Sequence, residues 1–396
     1  MVKMINKKDC TGCHACYNIC PQNCISMQSD NEGFRYPIID MDKCIDCGLC
    51  DRVCPVLNLE KIQNKPHAYA CINKDETIRI KSSSGGIFTL VAEIVIDNGG
   101  VVFGVGFNEN FEVEHRYIET KEELEKLRGS KYVQSRIGDT FKQAKTFLRQ
   151  GRKVLFTGTP CQIGGLKSYL GQIYDNLICI DIVCHGVPSP DVWHKYIEYR
   201  EEKVGLPTQR IAFRSKNEGW KRFSVSFLFK NNIEYQKTLD KDYFMKAFLK
   251  NICLRPSCYE CNFKSLNRQS DITLADFWGI WNVLPEMDDD KGTSLIFVNS
   301  DIGKSMIKQI RHKIIYKEVN IEEAVKYNSA AIKSVAYNTK RVDFFNHLND
   351  YSFDRLVMKY CSDKLLIRLK RKVKFIVRVI LIKTGLLRIA KVILGK

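Results

Sequence analysis

The sequence predicts a small α+β cysteine-rich module, then an α/β domain, then a C-terminal amphipathic helix. Three observations predict this order. Eight of the 17 cysteines fall in two compact runs before residue 55. From about residue 60, apolar β-like runs alternate with amphipathic segments, the pattern of an α/β domain. The final stretch, 364–396, holds eleven Lys or Arg and no Asp or Glu. The expected boundaries are 1–58, 59–360 and 361–396. At 396 residues the chain has room for two or three cores. Most of the net charge of +17 belongs to the tail, so the body is only mildly basic. No apolar run follows Met1, and a reducing, cytoplasmic setting is expected, in which cysteines serve as metal ligands and not as a disulfide scaffold.

Within the first module, Cys10, Cys13, Cys16 and Cys20 form C-x2-C-x2-C-x3-C before Pro21. The pattern recurs at Cys44, Cys47, Cys50 and Cys54 before Pro55. Three thiolates in so tight a loop hold three corners of a [4Fe–4S] cubane, and the fourth, beyond the turn, reaches the partner cluster. The expected ligand sets are Cys10, Cys13, Cys16 and Cys54 for one cluster, and Cys44, Cys47, Cys50 and Cys20 for the other. Structural zinc prefers two separated C-x2-C pairs, which these runs are not. The module resembles the bacterial dicluster ferredoxin over residues 1 to 57. Cys24 is left over and reads as a small buried residue. Clusters that pass one electron each make a wire, whose inner end the rest of the chain should supply.

Asn58 to Lys65 is polar and reads as a linker. In the body, expected strands are Val101–Val105, Val154–Thr157, Leu177–Val183 and Ile272–Ala275. Expected helices are Ile87–Asp97, Glu122–Arg128, Thr140–Gln150, Ile163–Leu170 and Val192–Val204. Ser82-Ser83-Ser84-Gly85-Gly86 precedes a helix, where exposed N–H groups suit a phosphate; a serine N-cap on an ordinary helix is the plain alternative. Thr157-Gly158-Thr159-Pro160-Cys161-Gln162 forms a strand–loop–helix junction, which places a ligand at the carboxyl end of a sheet. Gly129-Ser130-Lys131-Tyr132 offers a cation and a ring. A third cysteine group, Cys253, Cys258 and Cys261 with the distant Cys184, suffices for another cubane or for zinc. His185 beside it is a ligand, a flavin neighbour or a hydrogen-bonded loop histidine.

Taken in order, these stretches resemble the family of coenzyme F420 hydrogenase/dehydrogenase beta subunits. The likeness continues through Cys184-His185-Gly186-Val187-Pro188-Ser189-Pro190, Asp271-Ile272, Asp276-Phe277-Trp278-Gly279 and Gly292-Thr293-Ser294-Leu295. Ala275 departs from the glycine common in the family at that place. The resemblance implies an oxidoreductase with FAD in the body, a third [4Fe–4S] cluster beside it, and F420 or a small organic molecule as substrate. Chains of this type also occur in polysaccharide biosynthesis. Ser83, Ser84, Gly85 and Gly86 are the expected diphosphate turn. Lys131 would neutralise a phosphate or lie at the flavin N1–C2 edge, with Tyr132 alongside. Thr157, Gly158, Thr159, Cys161 and Gln162 would approach the ring, Cys161 as a redox thiol or as a contact. Lys131, Cys161 and His185 are the catalytic candidates. Asp271 and Asp276 would order a loop near the third cluster or supply protons. Trp220, Trp278 and Trp281 read as core.

In the tail, Leu366, Leu369, Val373, Ile376, Val377 and Ile380 share a helical face opposite Lys364, Arg368, Arg371, Lys374 and Arg378. Such a helix lies on an anionic membrane, here the inner face, or docks on protein. The expected partners are a ferredoxin-like one-electron carrier and a small molecule. Nucleic acid is not expected, because aromatic interleaving is almost absent. The rival functions are a non-catalytic electron-transfer subunit and an iron–sulfur nucleic-acid-binding protein.

Overall fold

The computed structural model describes residues 6–59 and 62–362, so the predicted amphipathic tail helix lies outside the described residues. No helix among the described residues is long and apolar enough to cross a membrane.

The N-terminal module holds a two-stranded antiparallel ribbon, β1 (Ile25–Ser29) and β2 (Arg35–Ile39), flanked by the short helices Ala15–Ile19 and Leu49–Arg52. The repeat read in the sequence is also a repeat of backbone geometry. Gly12 and His14 take φ of 67° and 63°, and Asp46 and Gly48, at the matching places, take 49° and 68°. Left-handed residues so spaced turn successive N–H groups inward, a concave cradle for an anionic centre.

The body is built on an eight-stranded sheet. Its strands are β3 (His67–Asn73), β4 (Val101–Phe107), β5 (Val113–Ile118), β6 (Val154–Gly158), β7 (Leu177–Ile182), β11 (Ile272–Asp276), β12 (Ser294–Val298) and β13 (Ile314–Val319). Their order is β13-β3-β12-β11-β7-β6-β4-β5. The run β4-β6-β7-β11 is parallel, and the remaining pairs are antiparallel. All four predicted strands are the parallel ones. Buried on both faces, they read as continuous apolar runs. The edge strands β5 and β13 carry no such signal, because they are half-buried and chemically mixed, whereas β12 is buried along its whole length and its apolar run Leu295–Val298 is a signal that the expected strands leave out.

One face of the sheet packs under Ile87–Asp97 and Asp301–Ile310, through Leu90, Val91, Val95, Met306 and Ile310. The other packs under Thr140–Arg149 and Pro160–Leu170, and there Cys13, Ala15 and Val53 of the N-terminal module join Phe141, Phe156 and Ile163 in one core. A separate antiparallel sheet, β8 (Thr208–Ser215), β9 (Ser224–Phe229) and β10 (Glu234–Thr238), packs an aromatic core with the helix Pro190–Val204. The predicted helix Glu122–Arg128 is a single turn, Leu124–Leu127, because the chain leaves it at Arg128 in extended conformation.

Candidate functional site

The loops read as chemical all gather at one edge of the sheet. The register places Asp276, Ser294 and Cys71 side by side, and Gly158 beside Asp181, so the carboxyl ends of the parallel strands share that edge with the start of β12. This is where α/β sheets hold ligands.

In the N-terminal module, Cys10, Cys13, Cys16 and Cys54 lie within electrostatic reach of one another. Cys20, Cys44, Cys47 and Cys50 line a separate hollow, together with Cys24. Cys24 is buried, but its Sγ is 3.3 Å from Cys20 Sγ, so it borders that hollow and is not a remote packing residue. The first group faces inward. A Cβ on Gly165 of the helix Pro160–Leu170 would stand 2.9 Å from Cys13 Cβ and Sγ, so only glycine permits this approach. In the second group Cys47 is exposed.

The third cysteine group differs from expectation. Cys161, Cys184, Cys258 and Cys261 line one hollow, with His185, Arg255, Lys264 and Thr11. Cys253 is not among them. It is fully buried in the aromatic core beside Cys361 and Arg341. The backbone bridges Leu254 to Pro188, and only the one-turn 3-10 helix Pro256–Cys258 carries the next cysteine to the hollow. Cys161 takes the fourth place at the start of an 11-residue helix. A reciprocal cap by Thr159 and Gln162 fixes that helix start, and Thr159 Oγ1 lies 3.1 Å from Cys161 Sγ. Burial pushes the thiols of Cys161, Cys184 and Cys258 up, the last to about 12, and neighbouring thiols push the same way. Burial likewise raises Cys13 to about 12 and lifts Cys16 and Cys54. Thiols so placed become ligands only when a metal displaces their protons.

Lys264 donates to the carbonyls of Cys184 and Ala330, the latter at 2.9 Å. Arg268, 4% exposed, pairs with buried Asp181 at 3.4 Å. His185 donates Nε2–H to Asn251 Oδ1 at 2.7 Å and packs edge-on to Phe248; burial lowers it. It is a hydrogen-bonded wall of the hollow.

The Ser83–Gly86 turn meets two other family stretches. Ser130 N–H donates to Ser83 Oγ at 2.8 Å, Ser84 Oγ donates to Thr293 O at 2.9 Å, and Gly85 N–H donates to Ser294 Oγ at 2.9 Å. A Cβ on Gly85 would stand 2.4 Å from Cys71 O. The helix Ile87–Asp97 is capped by Gly86, without a side-chain cap, so neither Ser83 nor Ser84 is the N-cap. Residues that no motif announced surround this turn. Arg214 of β8 pairs bidentately with Asp276 at 2.7 and 3.0 Å, and donates to Ser83 O and Tyr132 Oη at 3.0 Å. Lys216 donates to the carbonyls of Arg79, Ser84 and Lys291 at 2.7–2.8 Å. Lys131 donates to the carbonyls of Lys126 and Arg128 at 3.3 and 3.0 Å, and among the described residues it touches no carboxylate. Burial, then Arg116, pulls its ammonium down to about 7. An ammonium held without a counter-ion suits an arriving anion. Tyr132 stacks on Phe248 at 5.0 Å.

The Thr157–Gln162 loop is held by a directional network. His115 Nε2–H donates to Thr157 O at 3.0 Å, Ser135 Oγ donates to His115 Nδ1 at 3.0 Å, and Gln162 Nε2 donates to Ser135 at 2.9 Å. Burial lowers His115 to about 4, which keeps this tautomer neutral. Thr157 Oγ1 is spent on Phe103 O, and Gln162 Oε1 on Thr159. Asp271 and Asp276 end up at opposite ends of β11. Asp271 accepts from Cys179 N and Ser300 Oγ at the end remote from the loops. Asp271 orders backbone, whereas Asp276 accepts from the side chains of Arg214 and Trp220. Trp220 is buried and stacks on Trp278 at 4.8 Å, whereas Trp281 is exposed.

Known proteins share both parts of this arrangement. Residues 9–58 match the 4Fe-4S dicluster domain. Residues 68–142 match the N-terminal part, and 151–324 the C-terminal part, of the coenzyme F420 hydrogenase/dehydrogenase beta subunit. The coenzyme F420-dependent sulfite reductase of Methanocaldococcus jannaschii is 24% identical over 356 residues, covering 86% of this chain and 51% of that protein. One of the subunits of the F(420)H(2) dehydrogenase of Methanosarcina mazei is 22% identical over 193 residues, 46% of this chain and 54% of that one. The chain thus spans about half the length of these two relatives. A chain of the F420-reducing [NiFe] hydrogenase complex from Methanosarcina barkeri gives a loose likeness, with a TM-score of 0.45 and 15% identity over 68% of this chain and 91% of that one. The chain belongs to the family of coenzyme F420 hydrogenase/dehydrogenase beta subunits and carries a 4Fe-4S dicluster domain at its N-terminal end.

Proposed function

We propose that the protein is an iron–sulfur flavoprotein oxidoreductase with three [4Fe–4S] clusters and FAD. It joins a one-electron carrier to a small organic substrate or an F420-type deazaflavin. One observation carries this reading: the four thiols of Cys161, Cys184, Cys258 and Cys261, from three separate loops, line one hollow that Thr11 of the dicluster loop also borders. Among the described residues, no trio of His, Cys, Asp or Glu converges on a point that would suit one ion. Thiols spread around a hollow fit a cubane better than a single zinc.

Bound FAD takes an electron pair as hydride and releases electrons singly, which suits it to the inner end of a cluster wire. The chain's own part is positional. Ser83, Ser130, Ser84 and Ser294 knit three loops into one floor, and Arg214 locks that floor to Asp276. Lys131 supplies a cation that meets no carboxylate among the described residues, and Lys216 ties the turn to the carbonyls of Arg79, Ser84 and Lys291, with burial and then Arg214 pulling its ammonium down to about 7. The His115–Ser135–Gln162 network holds the Thr157–Cys161 loop between the two regions.

Anaerobic purification followed by iron, acid-labile sulfide and flavin analysis tests the reading. Three four-iron clusters require about 12 irons per chain, with one FAD. A preparation near eight irons removes the third cluster, and the absence of bound flavin removes the rest.

A further inference from the structure

Arg255 stands between the inner dicluster loop and the third thiol group. Its side chain is 0% exposed. Nε donates to Cys10 O at 2.7 Å, Nη1 to Gln134 Oε1 at 3.0 Å, and Nη2 to Arg35 O at 3.1 Å. The guanidinium lies 4.2 Å from the Tyr36 ring centroid. On its other side the residue borders the hollow of Cys161, Cys184, Cys258 and Cys261. The fit is close: a Cβ on Gly12 would meet Arg255 Nη1 at 2.9 Å, and Gly12 has a left-handed φ of +67°.

Among the described residues the hydrogen-bond partners of Arg255 are three neutral oxygens, and no carboxylate reaches it. Arg268, on the same hollow, is by contrast paired with Asp181. A guanidinium keeps its charge at physiological pH. Burying it unpaired is costly unless something negative lies close by. A cubane held by four thiolates is negative, and becomes more negative on reduction. Two such centres would flank Arg255, one through the Cys10–Cys16 loop and one in the hollow.

We propose that Arg255 is the shared counter-ion of these two clusters and holds both reduction potentials up, leaving the outer cluster of Cys20, Cys44, Cys47 and Cys50 untouched. A fixed cation favours the more negative, reduced state of each neighbour by Coulomb attraction, strongly in a site without water. The inference rests on the three-cluster reading for one of its two centres; the other belongs to the dicluster domain.

The test is an EPR-monitored redox titration of the anaerobically purified full chain, with iron content measured on each sample. In Arg255→Met, two of the three one-electron waves should fall by at least about tenfold in reduction equilibrium, about 59 mV each, and the third should stay. Arg255→Lys keeps the charge and should keep most of both potentials, which a purely structural role would not predict. Gln134→Glu places a carboxylate against the guanidinium without removing it, and should lower the same two waves. Gln134→Glu decides the matter if Arg255→Met does not assemble. Potentials unchanged in a variant that retains its clusters, or all waves moving together, would overturn the proposal. If wild-type protein holds only two clusters, the three-cluster reading fails instead. Arg255 is then judged on whether one wave of the two responds.

Discussion

Lys131 gives the flavin reading its sharpest quantitative consequence. Its ammonium, pulled to about 7 by burial and by Arg116, bonds two carbonyls and has one N–H to spare. At pH 8 such a group carries about 0.1 of a proton charge in protein freed of flavin. An anionic diphosphate in contact favours the charged form and returns the group toward its ordinary value of 10.5. FAD binding at pH 8 should therefore take up about 0.9 proton, and at pH 6, where the lysine is already charged, only about 0.1. Isothermal titration calorimetry in buffers of different ionisation enthalpy reads this directly, as the slope of observed heat against buffer enthalpy. Lys131→Met should flatten the pH 8 slope. It should also weaken FAD by about 1.5–3 kcal/mol, the worth of one charge-assisted hydrogen bond, or roughly tenfold to 150-fold. A flat slope in the wild-type protein at pH 8, or an equal slope in the variant, would refute the assignment of Lys131 to an anionic ligand.

Other substitutions separate ligands from packing. Cys161→Ser should remove about a third of the iron, roughly 4 of 12 atoms, whereas Cys253→Ser should keep all of it and lose only stability; iron analysis on the two side by side decides which cysteine is the ligand. Gly165→Ala forces a methyl within 2.9 Å of Cys13, so the inner cluster should be lost or altered in its EPR signal while the outer one persists. Asp276→Asn breaks the bidentate pair with Arg214, which is 7% exposed, and leaves a buried cation unpaired. That should cost about 3–5 kcal/mol, read as a fall in thermal midpoint at constant cluster and flavin content. An unchanged midpoint would mean that another anion already compensates Arg214.

What was legible in the sequence was what depends on neighbours along the chain. The eight N-terminal cysteines could be read because the cradle is local: three ligands, a turn and a proline, repeated with the same left-handed positions. Ile87–Asp97 was legible to the residue, since its apolar stripe is uninterrupted and Gly86 marks its start. The third thiol set was misread because it is assembled across strands. Cys253 sits at an attractive spacing before Cys258, yet nothing local distinguishes a core thiol from a ligand. A signal did exist. Cys161 and Cys184 each follow a strand by two or three residues, and β6 and β7 are parallel neighbours, so their two loops must emerge side by side. Reading adjacency before spacing would have paired them. Arg214, Lys216, Arg255 and His115 had no such signal: each is a lone polar residue whose role depends on partners far away in sequence.

The position of the N-terminal module follows from packing and not from its linker. Residues 59–65 join it to the body, and by chain order the second cysteine run, ending at Cys54, is the nearer one. Packing inverts this order. Ala15 and Cys13 from the first run enter the core under β4 and β6, where Gly165 makes room, while Cys47 of the second run faces solvent. Asn18 Nδ2 donates to Gly138 O at 2.9 Å, and Gln134 Nε2 donates to Thr11 O at 3.2 Å, so the first loop is stitched to the body. On the far side, Arg341 pairs with Glu32. A tether alone would leave the separation of the centres to a fluctuating loop, and electron transfer falls off steeply with distance. Cores shared across the junction set it rigidly. The repeat earlier in sequence is thereby the inner one, and Cys54 of the outer run lies within electrostatic reach of its cysteines. The two cysteine runs thus meet at Cys54 and are welded to the body by a core that takes in Cys13, Ala15 and Val53.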